Sequence, residues 1–161
     1  KSLSQMLAEG DIDAVLGSRM PDSVRADPDR VGYLFPNFRE EEKRYYKKHR
    51  IHPIMHTVVI RKDVYAQHKW VAQSLYKAFL AAKDWAQEAM YFSGAQKYML
   101  PWLFDDLREI DEVFGGDPWP YGIDDNRPTL EAFVKYMHQQ YFIPEVLRVD
   151  DLFAPTHGRL D

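Results

Sequence analysis

Apolar residues alternate most regularly between residues 51 and 63. From residue 54 to residue 60, the even-numbered side chains share one face of an extended chain and the odd-numbered side chains share the other. Both faces are largely apolar, which is typical of an interior strand covered on two sides. His56 shares its face with three aliphatic side chains. It is therefore either a hydrogen-bonded core residue or a group delivered to a pocket at the edge of a sheet.

Two further apolar runs, residues 12–16 and 31–35, have the length of strands and end at turn-forming residues. The first run leads into the segment Gly-Ser-Arg-Met-Pro at residues 17–21. Polar residues that follow a strand in this way are often placed to contact a ligand. Ser18 and Arg19 are therefore either ligand contacts or parts of a solvated turn.

Apolar residues at helical spacing predict five helices, over residues 2–9, 39–48, 69–90, 102–114 and 127–141. Ser2 or Ser4 can cap the first helix, Gly10 ends it, and Asn126 can cap the last. Helix 39–48 is strongly charged, with alternating signs that are typical of a solvated helix face. The apolar stripe of helix 69–90 is expected to lie in the core.

The segment Asp-Pro-Trp-Pro-Tyr-Gly at residues 117–122 is the second unusual stretch. Its two prolines fix φ and lack backbone donors, so it is expected to form a rigid loop. Trp119 and Tyr121 can form the walls of a pocket for a flat ligand, or they can fill the side of the core.

Three strands make a poor sheet for so much helix. We therefore predict an α/β fold that is helix-rich and has few strands, which belong to a larger mixed sheet. A partner chain or the remainder of a longer protein would supply the other strands. We favour the longer protein, with residues 1–161 as a single unit from its C-terminal part.

Composition excludes several classes of function. The 161 residues are 45% hydrophobic, enough for one globular core. A net charge of −4 without a basic stripe makes nucleic acid an unexpected partner. The absence of cysteine excludes disulfides and thiolate chemistry. No apolar run approaches the roughly 18 residues of a membrane span, so no span is expected.

The sequence contains none of the common catalytic motifs: no GxSxG, no phosphate-binding glycine loop and no HExxH. His52 and His56 are four residues apart, which on a strand separates their rings by roughly 13 Å. One metal ion cannot bridge that distance. We therefore predict neither a metal site nor a cofactor.

Seven segments, in order along nearly the whole chain, resemble the 4,5-dihydroxyphthalate decarboxylase-like family. They are LAEGDIDA (7–14), YY (45–46), PIMHTVVIR (53–61), LYKAF (75–79), LPW (100–102), WPYG (119–122) and DLFAP (151–155). The resemblance implies a fold like type II periplasmic solute-binding proteins, with two α/β lobes and a ligand cleft between them. This chain resembles the C-terminal half of such a protein. Residues 1–20 would end the second lobe and form the crossover, and residues 31–161 would lie mostly in the first lobe.

The family resemblance also implies a reaction, the non-oxidative decarboxylation of a dihydroxylated aromatic diacid. Such a site needs a general acid near the departing carboxylate and cationic anchors for the carboxylates. From their placement, His56 is the candidate acid and Arg19 the candidate carboxylate anchor. Ser18 is a second polar contact, and Trp119 and Tyr121 are candidate walls for the ring.

Several alternatives stay open. His52 departs from the aromatic residue usual before this proline in the family, so it can alter the substrate or have no role. The same fold also serves proteins that capture a small aromatic carboxylate for a transporter without turnover. An export signal would favour that periplasmic binder, whereas its absence would favour a cytoplasmic enzyme, which we expect. Unpaired strand edges also make a homodimer plausible.

Overall fold

The computed structural model describes residues 1–95 and 97–156, and within these ranges it contains helices and no strand. The chain divides into two units, Lys1–Glu42 and Lys43–Asp161. None of the helices in the described ranges is both long and apolar enough to cross a membrane. The helices are α1 (Leu3–Glu9), α2 (Asp22–Ala26), α3 (Phe38–His49), α4 (Lys62–Gln67), α5 (Trp70–Tyr91), α6 (Leu103–Phe114), α7 (Ile123–Gln139) and α8 (Val149–Leu152).

In the first unit, α1 begins one residue after the start of the predicted range, with Ser2 as its cap, and it ends at the predicted residue. The Ser2 hydroxyl accepts a hydrogen bond of 3.2 Å from the Gln5 backbone N–H, and the Gln5 side chain accepts one of 2.9 Å from the Ser2 N–H. Gly10 ends the helix with φ at +80°, a conformation that suits glycine. A hydrogen bond of 3.0 Å from the Ser23 N–H to the Ser4 hydroxyl then holds α2 against α1.

In the second unit, a small apolar core forms between helices. α6 packs on α5, and α8 packs on α7. The buried apolar side chains of this unit are Ala72, Ala89, Leu103, Leu107, Val113, Val134 and Val149. Since two of these seven are alanines, a few larger side chains supply most of the apolar burial.

Ion pairs connect helices of the second unit at the surface of this core. Lys43 on α3 pairs with Glu109 on α6. The Arg127 guanidinium on α7 binds both carboxylate oxygens of Asp150 on α8, at 2.8 and 3.2 Å. This two-point contact holds the pKa of Asp150 below its usual range. This contact fixes the short helix α8. Val149, the residue before Asp150, is buried.

The predicted α/β fold class is wrong for the described part of the chain. Segments 12–16, 31–35 and 54–60 were expected to be strands, but none of them forms one. Segment 54–60 has no regular secondary structure, and Val59 on its odd-numbered face is 86% exposed. Alternation determines which side chains share a face, whereas a strand also needs hydrogen bonds to a neighbouring chain. The described residues place no such neighbour beside these segments.

The helix predictions were more accurate. α5 and α6 lie within one residue of the predicted ranges, and α3 contains the predicted range. The short helices α2, α4 and α8 were not predicted. The prediction that Asn126 caps the last helix is wrong, because α7 already begins at Ile123 and Asn126 lies inside its first turn.

A hydrogen bond of Tyr91 makes the stability of the second unit depend on pH in the alkaline range. Its hydroxyl on α5 donates a hydrogen bond of 2.6 Å to Asp111 Oδ1 on α6. This bond, with some burial, raises the pKa of Tyr91 from 10.0 to about 12. Ionisation removes the donor, so the stabilisation is complete below pH 10 and is lost as the pH rises towards 12.

We therefore expect Tyr91→Phe to lower the free energy of unfolding near neutral pH, and we expect the difference from wild type to shrink between pH 10 and 12. Urea denaturation of both proteins across that range measures the difference. Tyr141→Phe is the matched control, because Tyr141 is almost fully exposed. A difference between wild type and Tyr91→Phe that stays constant with pH would contradict the assignment.

Candidate functional site

A groove of about 590 Å³ lies within the second unit. It is bounded by the extended segment between His52 and Ile60, one face of α5, loop 117–122, the start of α7 and residues 153–156. This volume lies within the range of about 300–1,000 Å³ that is usual for small-molecule sites. The groove is the natural candidate for a binding site.

The groove wall is apolar with a few polar groups. Its hydrogen-bonding side chains are two imidazoles, two tyrosine hydroxyls, two threonine hydroxyls, one amide and the indole N–H of Trp119. No Lys, Arg, Asp or Glu is among the described residues that line it. Such a wall suits an aromatic ring with hydroxyl groups, whereas it offers no permanently charged cation to pair with a carboxylate.

His52 is held among aromatic rings at one side of the groove. Its ring centroid lies 5.2 Å from that of Phe114, 6.2 Å from that of Trp119 and 6.4 Å from that of Tyr46. Its backbone N–H donates a hydrogen bond of 3.2 Å to the Thr129 hydroxyl on α7. These contacts fix the start of the extended segment and place the His52 imidazole on the groove wall.

His56 lines the same groove further along the extended segment. Its side chain is exposed, so the structure does not place it in the core. An imidazole can donate or accept a proton, and an exposed ring on a groove wall is accessible to a bound ligand. The catalytic role predicted for His56 stays a prediction.

Trp119 and Tyr121 both contribute their rings to the groove. Trp119 is 59% exposed, so the rings form a wall of the groove rather than filling the core. Loop 117–122 has no helix or strand, as its two prolines predicted. The structure thus brings together four of the six predicted site residues, namely His52, His56, Trp119 and Tyr121.

Ser18 and Arg19 belong to the first unit, where they lie on an exposed bend. Their roles as a polar contact and a carboxylate anchor stay predictions. No group of three or more His, Asp or Glu side chains suited to a metal ion occurs in residues 1–95 and 97–156.

Several residues that line the groove were not predicted as site residues. Tyr76 on α5 does so beside Leu75 and Phe79, which were expected in a core stripe. Asn126 was expected only as a helix cap, yet its side chain also lies at the groove. Helical spacing assigns residues to a face of the helix, but it does not reveal whether a groove or a packed core lies against that face.

Comparisons with known proteins support the resemblance predicted from the sequence. No family model matches the chain. A curated protein from Comamonas testosteroni named 4,5-dihydroxyphthalate decarboxylase is 32% identical over 156 residues. The match covers 97% of this chain and 47% of that protein, so the chain spans about half the length of the relative. The resemblance is confirmed, and the shared length is consistent with the predicted half of a longer protein.

Proposed function

Since this chain resembles a curated 4,5-dihydroxyphthalate decarboxylase along nearly its whole length, we propose that the longer protein it corresponds to is a non-oxidative decarboxylase of dihydroxylated aromatic acids. The groove of the second unit would form one wall of its active site. The observation that carries this proposal is the meeting of two imidazoles and two large aromatic rings on one apolar wall. Three of these four side chains, His56, Trp119 and Tyr121, come from segments that resemble the family.

The groove suits the ring of the substrate better than its carboxylates. Aromatic side chains bind a flat ring by stacking or by edge-to-face contact, and the lining tyrosine hydroxyls can bond to phenolic oxygens. Because the lining residues carry no fixed positive charge, the carboxylate that stays on the product would need a cation from outside this wall. Arg19 keeps that role as a prediction.

The reaction requires one proton and releases one molecule of carbon dioxide. A ring hydroxyl para to the departing carboxylate loses its proton and pushes electrons into the ring, while an acid protonates the carbon that bears the carboxylate. The carbon–carbon bond to the carboxylate then breaks, and its electron pair restores the aromatic ring as the phenol regains its proton. The His56 imidazolium would supply the proton to carbon, which is the general acid step.

The full-length protein that contains this chain tests the proposal directly. We expect incubation with 4,5-dihydroxyphthalate to release carbon dioxide and dihydroxybenzoate in equal amounts, which chromatography and a carbon dioxide assay measure. Benzene-1,2-dicarboxylate without hydroxyl groups is the control, because it lacks the electron-donating hydroxyl. Saturable binding of 4,5-dihydroxyphthalate without turnover would contradict the decarboxylase proposal and favour a protein that only captures an aromatic acid.

The second unit also exposes large apolar side chains that do not line the groove. Met99, Trp102 and Tyr141 are among them. Many large apolar side chains of this unit are exposed. The remainder of the longer protein is the partner that we propose for them, and a second copy of the chain is the alternative.

A further inference from the structure

Loop 117–122 carries two rings of the groove wall, yet it has little backbone hydrogen bonding of its own. Pro118 and Pro120 lack backbone donors, and the loop has no regular secondary structure. The position of Trp119 and Tyr121 therefore depends on side chains from neighbouring helices. The contacts of these side chains identify what holds the wall in place.

Lys83 of α5 contacts the loop at three positions. Its ammonium group pairs with the Asp117 carboxylate and donates a hydrogen bond of 2.8 Å to the Trp119 carbonyl oxygen. The same group lies 4.8 Å from the centroid of the Tyr121 ring, within the range of a cation–π contact. The Lys83 side chain is only 12% exposed, so these contacts replace most of its hydration.

Asp117 completes the arrangement. Its Oδ1 atom accepts a hydrogen bond of 3.1 Å from the Trp119 N–H and lies 3.5 Å from the Gln87 amide nitrogen on α5. The backbone N–H and C=O of Trp119 are thus bound by Asp117 and Lys83, which also bind each other. The side chains of Lys83 and Asp117 therefore hold the backbone of Trp119, the residue that carries the indole ring.

Other side chains hold the far end of the loop from within the groove. Asn126 donates hydrogen bonds of 2.6 and 2.8 Å to the carbonyl oxygens of Pro120 and Gly122, and the Tyr76 hydroxyl donates one of 3.3 Å to the Tyr121 carbonyl oxygen. Asn126 and Tyr76 line the groove, whereas Lys83 does not. The three contacts of Lys83 are therefore with the loop and not with the interior of the groove.

We propose that Lys83 is a positioning residue that holds the Trp119 and Tyr121 rings as a fixed wall and thereby gives the groove its preference for planar ligands. The part that concerns aromatic acids rests on the proposed function, whereas the fixing of the loop does not. Without Lys83, the Trp119 carbonyl and the Asp117 carboxylate lose their shared partner. The two rings then sample other orientations, and a planar ligand loses its stacking surface.

The test compares Lys83→Met with wild type in the full-length protein, using two ligands. The planar ligand is 4,5-dihydroxyphthalate, and the non-planar ligand is cyclohexane-1,2-dicarboxylate, which keeps both carboxylates. We expect the Kd of the planar ligand to rise about three- to tenfold, the worth of an aromatic contact, and that of the non-planar ligand to change less. If the protein turns over 4,5-dihydroxyphthalate, the KM of Lys83→Met should be higher than that of wild type, while kcat changes little.

Hydrogen exchange of a peptide covering residues 117–122 gives a readout that needs no ligand. We expect faster exchange in Lys83→Met than in wild type. Lys83→Arg keeps the charge and the donors, so it should retain part of the protection against exchange and part of the preference for the planar ligand. Asp117→Asn is the second variant, because it keeps an acceptor for the Trp119 N–H but loses the charge pair. It should give an intermediate effect.

The outcomes separate the two proposals. Unchanged exchange in both Lys83→Met and Asp117→Asn would overturn the positioning role, as would an equal loss of affinity for both ligands. A wild-type protein that neither binds nor converts 4,5-dihydroxyphthalate would overturn the proposed function. The exchange comparison would still decide whether Lys83 fixes the loop.

Discussion

Replacing His56 with alanine in the full-length protein is expected to lower the rate of carbon dioxide release from 4,5-dihydroxyphthalate by about 10²- to 10⁴-fold, the usual contribution of a general acid. His56 lies exposed on the groove wall, where its imidazole can reach a bound ring. The aromatic rings of the wall stay in place in the variant. Affinity for the substrate should therefore change much less than turnover, which steady-state kinetics and calorimetry measure separately.

His52→Ala is the matched control, because the same extended segment carries a second imidazole on the same groove. The His52 ring packs against Phe114 and Trp119, so its loss should weaken binding more than it slows the chemical step. The reverse pattern, with turnover lost in His52→Ala and retained in His56→Ala, would transfer the acid role to His52.

Leu107→Ala is expected to destabilise the protein by about 2–5 kcal/mol, the usual cost of removing a buried leucine side chain and leaving a cavity. Leu107 lies in the middle of α6 and is 4% exposed. The buried core of the second unit has few large side chains, so little surrounding volume is available to fill the cavity. Urea denaturation of the full-length protein gives the difference in the free energy of unfolding.

Leu107→Met is the control for this prediction, since a substitution that conserves volume usually costs less than about 1.5 kcal/mol. Similar losses in the two variants would show that side-chain shape, rather than cavity formation, controls the stability at this position. A loss below about 1 kcal/mol in Leu107→Ala would contradict the packing of Leu107 in this core.

The long helices were predictable because each carries its own signals. α5 has an apolar stripe over 22 residues, and α6 ends at Gly115, whose φ of +74° suits glycine. The start of α7 was missed because Asn126 has the chemistry of a cap and Pro128 favours a first turn. In the structure, Asn126 binds carbonyl oxygens before the helix instead of capping it.

The expected strands failed for a different reason. Alternation in residues 54–60 is a property of the segment itself, whereas strand pairing depends on a second segment. Local sequence contains no information on whether that second segment is present. The segment nonetheless reaches the candidate site, because the bond from His52 to Thr129 fixes its start on α7.

Some residues of the site were visible in the sequence and others were not. His56 stood out within an apolar run, and Trp119 and Tyr121 stood out between prolines. Lys83, in contrast, resembles any charged residue of a long helix, and its partner Asp117 lies 34 positions away. Contacts between residues so distant in sequence become apparent only when the chain is folded.

The uncharged wall of the groove has a consequence for ionic strength. Salt screens attraction between charges over about 10 Å at 0.1 M, whereas contacts between apolar rings are not weakened by screening. Because the described lining residues carry no Lys, Arg, Asp or Glu, the affinity that this wall contributes should persist in concentrated salt. Any affinity lost as salt is added then belongs to a protonated imidazole of the wall or to carboxylate anchors elsewhere in the protein.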